Sequence, residues 1–356
     1  MKVLRFILLP VSLLYAAVVL VRNFLYDIGV FSSQRYTFPL INVGNLAAGG
    51  TGKSPHVEYL LKLLSKDYRF TSLSRGYGRK TSGFAEVLSE STFVECGDEP
   101  VMIKSNYPEV PIFVDGNRRR GLREIFKKYS ETQGVILDDA FQHRSVTPGL
   151  NILLTDYSRL YIQDFVLPTG YLREPRRGAN RADIIVVTKC PDIFSPVDAR
   201  AIRKRLKVKP YQSVYFSYIK YGALKPVYSS LPPFEGKLNA QLSVLLFTGI
   251  AKPGNLYYKI KNSVKEVEHL RFSDHHAFGM SDINRIVSGY EGLKGERKII
   301  LTTEKDSIRM QLPGIREILE SYPIYYLPIE VTFHGKDQQE FDERIINYVE
   351  RNIQYS

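Results

Sequence analysis

A short glycine-rich stretch, AAGGTGKS over residues 47–54, carries the residue types that bind nucleotide phosphates. Glycines let a backbone turn its N–H groups inward toward phosphate oxygens. Lys53 supplies a positive charge for the β- and γ-phosphates, which makes it a candidate catalytic residue, and the Ser54 hydroxyl can bind Mg²⁺. Ala47 replaces the usual first glycine, one small residue for another. The predicted nucleotide-binding residues are Gly49, Gly50, Thr51, Gly52, Lys53 and Ser54.

Two adjacent acids, Asp138 and Asp139, follow the apolar run at residues 135–137. An acid at the end of a buried strand is the expected Mg²⁺ partner of a phosphate-loop enzyme. We expect one aspartate to hold Mg²⁺ through water and the other to steady Lys53 or the metal shell. The alternative is a strand-end turn with solvated acids. The predicted metal site therefore comprises Ser54, Asp138 and Asp139.

Four further polar motifs follow predicted strands or turns. They are SRGYG at 74–78, CGDEP at 96–100, DGNRRR at 115–120 and LREPRR at 172–177. Parallel sheets bind ligands at the carboxyl ends of their strands, and several of these motifs fall there. Any one of them could be a solvated loop, but their joint placement beside a phosphate loop favours a binding site.

The doublet His275-His276, in the sequence FSDHH, is a second candidate for chemistry. A histidine brought to a carboxylate such as Asp98 would make a general-base pair that activates a hydroxyl. The alternatives are a surface loop or a helix cap by Asp274. A metal site is not expected, because companion ligands at suitable spacing are missing from the sequence around the doublet.

Short apolar runs alternate with amphipathic ones from residue 36 onward, which predicts an α/β fold with a mostly parallel sheet and flanking helices. A strand at 40–43 precedes the phosphate loop, and apolar residues at 3.6-residue spacing over 57–64 predict the helix that follows it. Further first-unit strands are predicted at 70–73, 112–114, 134–137, 151–154 and 184–187. We expect a P-loop domain over 31–208 and a second, smaller α/β domain over 209–356.

The N-terminal residues 1–30 break the globular pattern. The run 6–21 is apolar apart from Ser12 and Tyr15, and basic residues flank it: Lys2, Arg5 and Arg22. No small-x-small cleavage site follows, so a secretory signal peptide does not fit. We expect a membrane helix, either short and spanning or lying in the interface, with a buried core helix as the alternative.

The composition adds a net charge of +12, which points to an anionic partner such as nucleic acid, an acidic membrane surface or a phosphorylated substrate. The two cysteines lie far apart and in no metal-type spacing, so we expect neither a disulfide framework nor a zinc site, and a reducing compartment fits best. Thr188-Lys189 begins a guanine-binding motif, but Asp192 falls one position too late for it. No nucleic-acid-binding pattern is present, so we expect no nucleic-acid partner. The sequence gives no indication of oligomeric state.

Taken together, the motifs resemble one family, the tetraacyldisaccharide 4′-kinases of lipid A biosynthesis in Gram-negative bacteria. The resemblance runs through most of the chain after an N-terminal membrane helix. It rests on the ordered set VGNLAAGGTGKSP, SRGYGR, GDEP, DGNRRRG, LDDAFQHR, LREP, FTGIAKP, FSDHHAF and TTEKD.

This resemblance implies transfer of the ATP γ-phosphate to the 4′-hydroxyl of a tetraacyl glucosamine disaccharide 1-phosphate. It implies Mg²⁺ and action at the cytoplasmic face of the inner membrane. Asp98 would be the base on the acceptor hydroxyl, paired with His275 or His276, of which we prefer His275. The residues implied to line the lipid and nucleotide cleft are Tyr77, Arg119, Arg120, Arg173 and Glu174. The second interpretation is a membrane-associated P-loop kinase or NTPase with a different acceptor. An interpretation from another class is a nucleotide-dependent switch protein that hydrolyses slowly.

Overall fold

The structure is a computed structural model that describes residues 7–353, so Lys2 and Arg5 of the predicted basic N-terminus lie outside the described residues. A long helix, α1 (Leu9–Asp27), opens the described chain. It is the one helix in residues 7–353 that is long and apolar enough to cross a membrane, with a mean hydropathy of 1.6, and only 6% of its most apolar window is buried.

A nine-stranded sheet forms the first unit and carries the phosphate loop at its centre. Its spatial order is β16-β10-β9-β8-β2-β6-β3-β5-β4, and the neighbours are parallel except for β16 with β10 and β4 with β5. The strands are β2 (Leu40–Asn45), β3 (Phe70–Ser74), β4 (Ala85–Val87), β5 (Ile112–Val114), β6 (Gly134–Asp138), β8 (Leu150–Asp156), β9 (Ile184–Thr188), β10 (Ser213–Tyr221) and β16 (Ile329–Phe333).

The central strands are buried along their whole length, which is why they are near-continuous apolar runs in the sequence. Helices cover both faces of the sheet, and a small parallel pair, β1 (Gln34–Arg35) and β7 (Val146–Thr147), lies beside it. The helices of this unit are α2 (Lys53–Leu64), α3 (Phe93–Cys96), α4 (Asp98–Asn106), α5 (Arg118–Lys128), α6 (Pro196–Leu206) and α11 (Asp337–Ile353). The predicted α/β fold with a P-loop-type parallel sheet is confirmed.

A second, five-stranded sheet has the order β11-β15-β14-β12-β13, and only β11 is antiparallel to its neighbour. Its strands are β11 (Lys225–Pro226), β12 (Leu242–Thr248), β13 (Glu266–Arg271), β14 (Arg297–Thr303) and β15 (Ile324–Leu327). Its helices are α7 (Gly254–Lys261), α8 (Met280–Gly292), α9 (Glu304–Arg309) and α10 (Pro313–Leu319).

The two sheets divide the chain differently from the predicted boundary between residues 208 and 209. Strand β10 pairs in parallel with β9, and β16 returns after the second sheet to pair with β10. Phe341 of α11 then stacks on Phe333 and meets Tyr59 of α2 edge-on. The second sheet therefore spans 225–327 rather than 209–356, because the apolar faces of β16 and α11 are buried in the first unit.

Candidate active site

The phosphate loop lies between β2 and α2, as its motif requires. Gly49 and Gly52 adopt φ values of +104° and +90°, the left-handed region that glycine reaches at no steric cost. A Cβ atom at Gly49 would meet no atom within 4 Å, so the space beside this glycine is open. Helix α2 begins at Lys53 and directs its N-terminal N–H groups toward the same space, where its dipole favours an anion.

Buried hydrogen bonds hold this loop from behind. Asn45 Nδ2 donates to the Thr51 hydroxyl at 2.7 Å, and the Thr188 hydroxyl donates to the Thr51 carbonyl at 2.8 Å. The ring of His56 bridges the Gly52 carbonyl at 2.7 Å and the Ser217 hydroxyl at 3.0 Å. Burial lowers the pKa of His56 to about 4, so this histidine is a neutral structural bridge. Buried side chains thus hold the backbone of the loop in place.

Lys53 and the second strand-end acid face each other across the loop. Lys53 Nζ lies 3.6 Å from Asp139 Oδ2, and Arg173 Nη1 binds the same carboxylate at 2.8 Å. Burial acts to raise the pKa of Asp139, but the charges of Lys53 and Arg173 outweigh it and hold that pKa below its ordinary value. Asp139 is therefore an ionised carboxylate that orients two cations.

Asp138 has the opposite electrostatic character. It is 3% exposed, and its Oδ1 has no hydrogen-bond partner among the described residues. Burial raises its pKa to about 7, and the nearby charge of Glu99 acts in the same direction. A buried, unpartnered carboxylate oxygen beside a phosphate loop is a hard ligand that a divalent cation would satisfy. No cluster of three or more His, Cys, Asp or Glu side chains able to hold a metal occurs within residues 7–353. A single buried carboxylate such as that of Asp138 fits Mg²⁺, because Mg²⁺ is commonly bound by one or two carboxylates together with water and substrate phosphates.

Asp98, the first residue of α4, meets three groups from the second unit. His275 Nδ1 lies 3.1 Å from Asp98 Oδ2, Lys305 Nζ lies 3.9 Å from it, and Arg309 Nη2 binds the same oxygen. Lys305 also contacts His275 Nε2 at 3.2 Å and Glu99 Oε1 at 2.8 Å. The predicted pair of Asp98 with the first histidine of the doublet is present in the structure.

The charges around Asp98 decide its protonation state. Burial acts to raise its pKa, but the hydrogen bond with His275 and the charges of Lys305 and Arg309 outweigh burial, so the pKa is well below its ordinary value. A carboxylate held this firmly in its ionised form is a weak proton acceptor by itself. It can instead stabilise a positive charge on the imidazole of His275, which makes the pair a better proton acceptor than the carboxylate alone.

His276 contacts Asp282 and Phe272 instead of Asp98. Its Nε2 lies 2.9 Å from Asp282 Oδ2, and its ring stacks on Phe272. Of the two histidines predicted as candidates, only His275 contacts Asp98. Tyr77 packs against the His275 ring with centroids 4.8 Å apart and is 64% exposed, so its hydroxyl-bearing edge is available to a ligand.

The remaining predicted cleft residues separate into two groups. Arg173 binds Asp139 beside the phosphate loop, and the buried Glu174 receives hydrogen bonds from Arg181 at 2.8 Å and from Gln142 at 2.9 Å. Arg120 forms a bidentate pair with Asp115, whereas Arg119 donates to the Ser145 carbonyl at 2.8 Å. These two arginines line a separate groove of about 650 Å³ with Tyr36, Phe38 and Phe126. The structure does not bring them into contact with Lys53 or Asp98.

Several residues near the site were not predicted individually. Lys305 and Lys252 lie in the sequence motifs TTEKD and FTGIAKP, which signalled them, whereas Arg309 has no such signal. Lys252 crosses from the second unit to Asp156 at 3.0 Å, and Lys189 donates to the Gly50 carbonyl. The Thr188-Lys189 dipeptide therefore supports the phosphate loop.

Backbone strain marks the same region. Four described residues other than glycine have positive φ, and three of them are Asp139 (+51°), Lys189 (+57°) and His275 (+55°). Such conformations are costly for residues with a side chain and persist where surrounding structure holds them. Their grouping around one site agrees with a functional role for it.

A model of the tetraacyldisaccharide-1-P 4′-kinase family matches residues 4–350. The chain belongs to this family.

Relatives of this kinase family match over almost their whole length. Proteins named tetraacyldisaccharide 4′-kinase from Bacteroides thetaiotaomicron and Flavobacterium johnsoniae are 44% and 42% identical to the chain. The alignments cover 98% of this chain and 94% of the first relative, and 99% and 100% for the second. A crystal structure described as the "apo" form of LpxK from Aquifex aeolicus in complex with ATP is similar at 30% identity and a TM-score of 0.72. It covers 97% of this chain and 99% of the other. The predicted kinase family is therefore confirmed.

Proposed function

We propose that this protein transfers the γ-phosphoryl group of ATP to the 4′-hydroxyl of a tetraacyl glucosamine disaccharide 1-phosphate. Family membership supports the donor, the acceptor and the reaction type. One observation carries the proposal: the first unit holds both the phosphate loop and Asp98, and the second unit supplies His275, which pairs with Asp98. Glu99 connects the two, because it binds Lys305 and its charge acts on Asp138.

In the proposed reaction, the 4′-oxygen attacks the γ-phosphorus, the bond from that phosphorus to the β–γ bridging oxygen breaks, and ADP leaves. The proton of the attacking hydroxyl passes to the Asp98–His275 pair, with the positive charge on His275 balanced by Asp98. Lys53 stabilises the negative charge that builds on the transferred phosphoryl group and on the leaving oxygen. Because the transition state of phosphoryl transfer is loose, such electrostatic stabilisation supplies the larger part of catalysis. Lys305 must move away from His275 Nε2 if that nitrogen is to take the proton.

We further propose that Mg²⁺ accompanies ATP. Ser54 and Asp138 would hold it, with Asp139 orienting Lys53 and Arg173 around it; the ion supplies charge neutralisation of the phosphates. Support comes from the unpartnered Oδ1 of Asp138 and from the hard oxygen character of the donor set.

The site of action we propose is the cytoplasmic face of the inner membrane, with α1 holding the protein at the bilayer. The outer face of α1 presents large apolar side chains to solvent, among them Leu14 at 68% and Val18 at 61% exposure. The net charge of +12 suits an anionic lipid surface and a phosphorylated acceptor. An anchored kinase can reach the sugar hydroxyl while the acyl chains stay in the bilayer.

The test uses γ-labelled ATP, the purified protein in detergent and the disaccharide 1-phosphate lipid. Label is expected on the lipid, and the same lipid already carrying a 4′-phosphate should accept none. Label found only as free phosphate would refute the kinase proposal. Labelling of the blocked lipid would instead support the alternative of a kinase with a different acceptor position.

A further inference from the structure

Helix α1 has a polar face as well as an apolar one. Ser12, Tyr15, Asn23 and Asp27 follow one another after three, eight and four residues, which is close to whole helical turns, and Arg22 lies next to Asn23. All five side chains therefore fall on one side of the helix. Ser12 is 4% exposed although most of the helix around it is open. A helix that served only as a hydrophobic anchor would not need this polar face.

The polar face is docked on two segments of the first unit. Thr169 and Ser12 share two hydrogen bonds at 2.8 and 2.9 Å, and Tyr15 donates to the Arg173 carbonyl at 2.8 Å. Asn23 Nδ2 donates to Glu174 Oε2 at 3.2 Å.

The second docked segment follows the strand-end acids. Arg22 donates to the Gln142 carbonyl at 3.1 Å. Arg144 returns two bonds at 2.7 Å, to the Asn23 carbonyl and to Asp27 Oδ1. The contacts extend from residue 12 to residue 27, about 22 Å along the axis at 1.5 Å per residue. If α1 left the first unit and entered the hydrocarbon of a bilayer, Arg22 and Asp27 would lose their hydrogen-bond partners at a high cost in free energy. The helix therefore lies along the enzyme.

Both docked segments lead directly to the site. Arg173, whose carbonyl Tyr15 holds, binds Asp139 through its guanidinium group at 2.8 Å. Glu174 accepts from Gln142 at 2.9 Å, and Gln142 donates to the Asn45 carbonyl at 2.8 Å.

Asn45 completes this path, because it binds Thr51 of the phosphate loop at 2.7 Å. A continuous set of hydrogen bonds thus joins Asn23 of the helix to the nucleotide loop through Glu174, Gln142 and Asn45.

We propose that α1 is a positioning element of the active site, with Tyr15 and Asn23 as positioning residues for Arg173, Glu174 and the acids they orient. This inference rests on the proposed kinase function. When the polar face of α1 is docked on the first unit, it holds the segments around Asp139 and Arg173 in the geometry that Lys53 and Mg²⁺ would require. Membrane attachment and catalysis then use opposite sides of one helix.

The experiment compares Tyr15→Phe and Asn23→Ala with the full-length wild-type protein in detergent micelles, with ATP and the acceptor lipid saturating. Micelles remove any effect of partitioning onto a bilayer. Each variant loses one hydrogen bond, so kcat is expected to fall about fivefold and the half-saturating Mg²⁺ concentration to rise about threefold. Pelleting with vesicles of phosphatidylethanolamine and phosphatidylglycerol should not change, because the apolar face is intact.

Matched controls are Tyr322→Phe and Asn352→Ala, whose hydroxyl and amide bond to Glu291 and to the Tyr348 carbonyl in other parts of the molecule. Both should keep the wild-type kcat and Mg²⁺ dependence. Tyr15→Phe retains the aromatic ring, so it decides the question if Asn23→Ala fails to fold.

Unchanged kcat and Mg²⁺ dependence in Tyr15→Phe and Asn23→Ala would overturn the inference. So would a loss of activity seen on vesicles but not in micelles, because the helix would then act only as an anchor. A wild-type protein that labels no lipid would refute the proposed function itself, which keeps the two failures distinct.

Discussion

Replacing Asp98 by asparagine tests the proposed base. The change keeps the side-chain volume but removes the charge that faces His275, Lys305 and Arg309. A proton that reaches His275 would then have no counter-charge. General-base contributions are typically about 10²- to 10⁴-fold, so kcat should fall by about that factor, which corresponds to about 3–5 kcal/mol in the barrier.

Affinity for ATP should change far less, because Asp98 contacts none of the phosphate-loop residues. The assay is steady-state lipid phosphorylation with varied ATP, combined with equilibrium binding of a fluorescent ATP analogue. Thermal unfolding checks that Arg309, which is 2% exposed and also binds Asp306, keeps its position.

The neighbouring pair provides a matched control. Asp282→Asn removes the carboxylate that holds His276 and should leave kcat within about twofold of wild type. If Asp98→Asn weakened ATP binding as strongly as it slowed turnover, Asp98 would belong to the nucleotide or metal site instead. If Asp282→Asn slowed turnover equally, the assignment of His275 would be wrong.

Three further predictions concern other parts of the site. Lys53→Met should lower kcat/KM for ATP about 10²- to 10³-fold by removing a preorganised charge, and a loss under fivefold would contradict its role. Lys252→Ala should raise KM for ATP about two- to fivefold at low salt, because the ion pair between the half-exposed Lys252 and the buried Asp156 is only modestly stabilising. An effect that does not depend on salt concentration would count against this prediction. Burial raises the pKa of Glu58 to about 7, so the free energy of unfolding of the wild-type protein should decline as pH rises above about 4.5 and should level off only above about 7, once Glu58 is ionised in the folded protein as well. Glu58→Gln should remove up to about 3 kcal/mol of that decline in urea titrations, and parallel pH profiles would refute it.

The sequence predicted the parts of this fold whose signals are local. The apolar strands on either side of the phosphate loop are buried on both faces, so their composition alone identified them. The glycines of the loop and the start of the adjacent helix were predictable as well, because their conformations depend on nearby residues. Ordered short motifs then sufficed to identify the family, which the comparisons confirm.

Pairing between distant segments could not be predicted in the same way. Strand β10 is recognisable as a strand by its Val, Tyr and Phe content, but nothing local says that it joins β9 or that β16 returns to it. The sequence likewise left both histidines of the doublet open, because the choice depends on how the loop presents residue 275 at a φ of +55°. The roles of the predicted site residues stay predictions until the variants are measured.

The return of β16 and α11 to the first sheet has a consequence for biosynthesis. A ribosome must make the whole second sheet before the nucleotide-binding sheet can gain its last edge strand. Helix α1 precedes every strand of that sheet along the chain, so it is made while the sheet on which it docks is still unfinished. Phe333 and Phe341 cover Tyr59 of the phosphate-loop helix, so a chain released shortly before residue 329 would leave that helix uncovered. Such a truncated product would contain every motif named above and still lack the aromatic packing that covers the phosphate-loop helix.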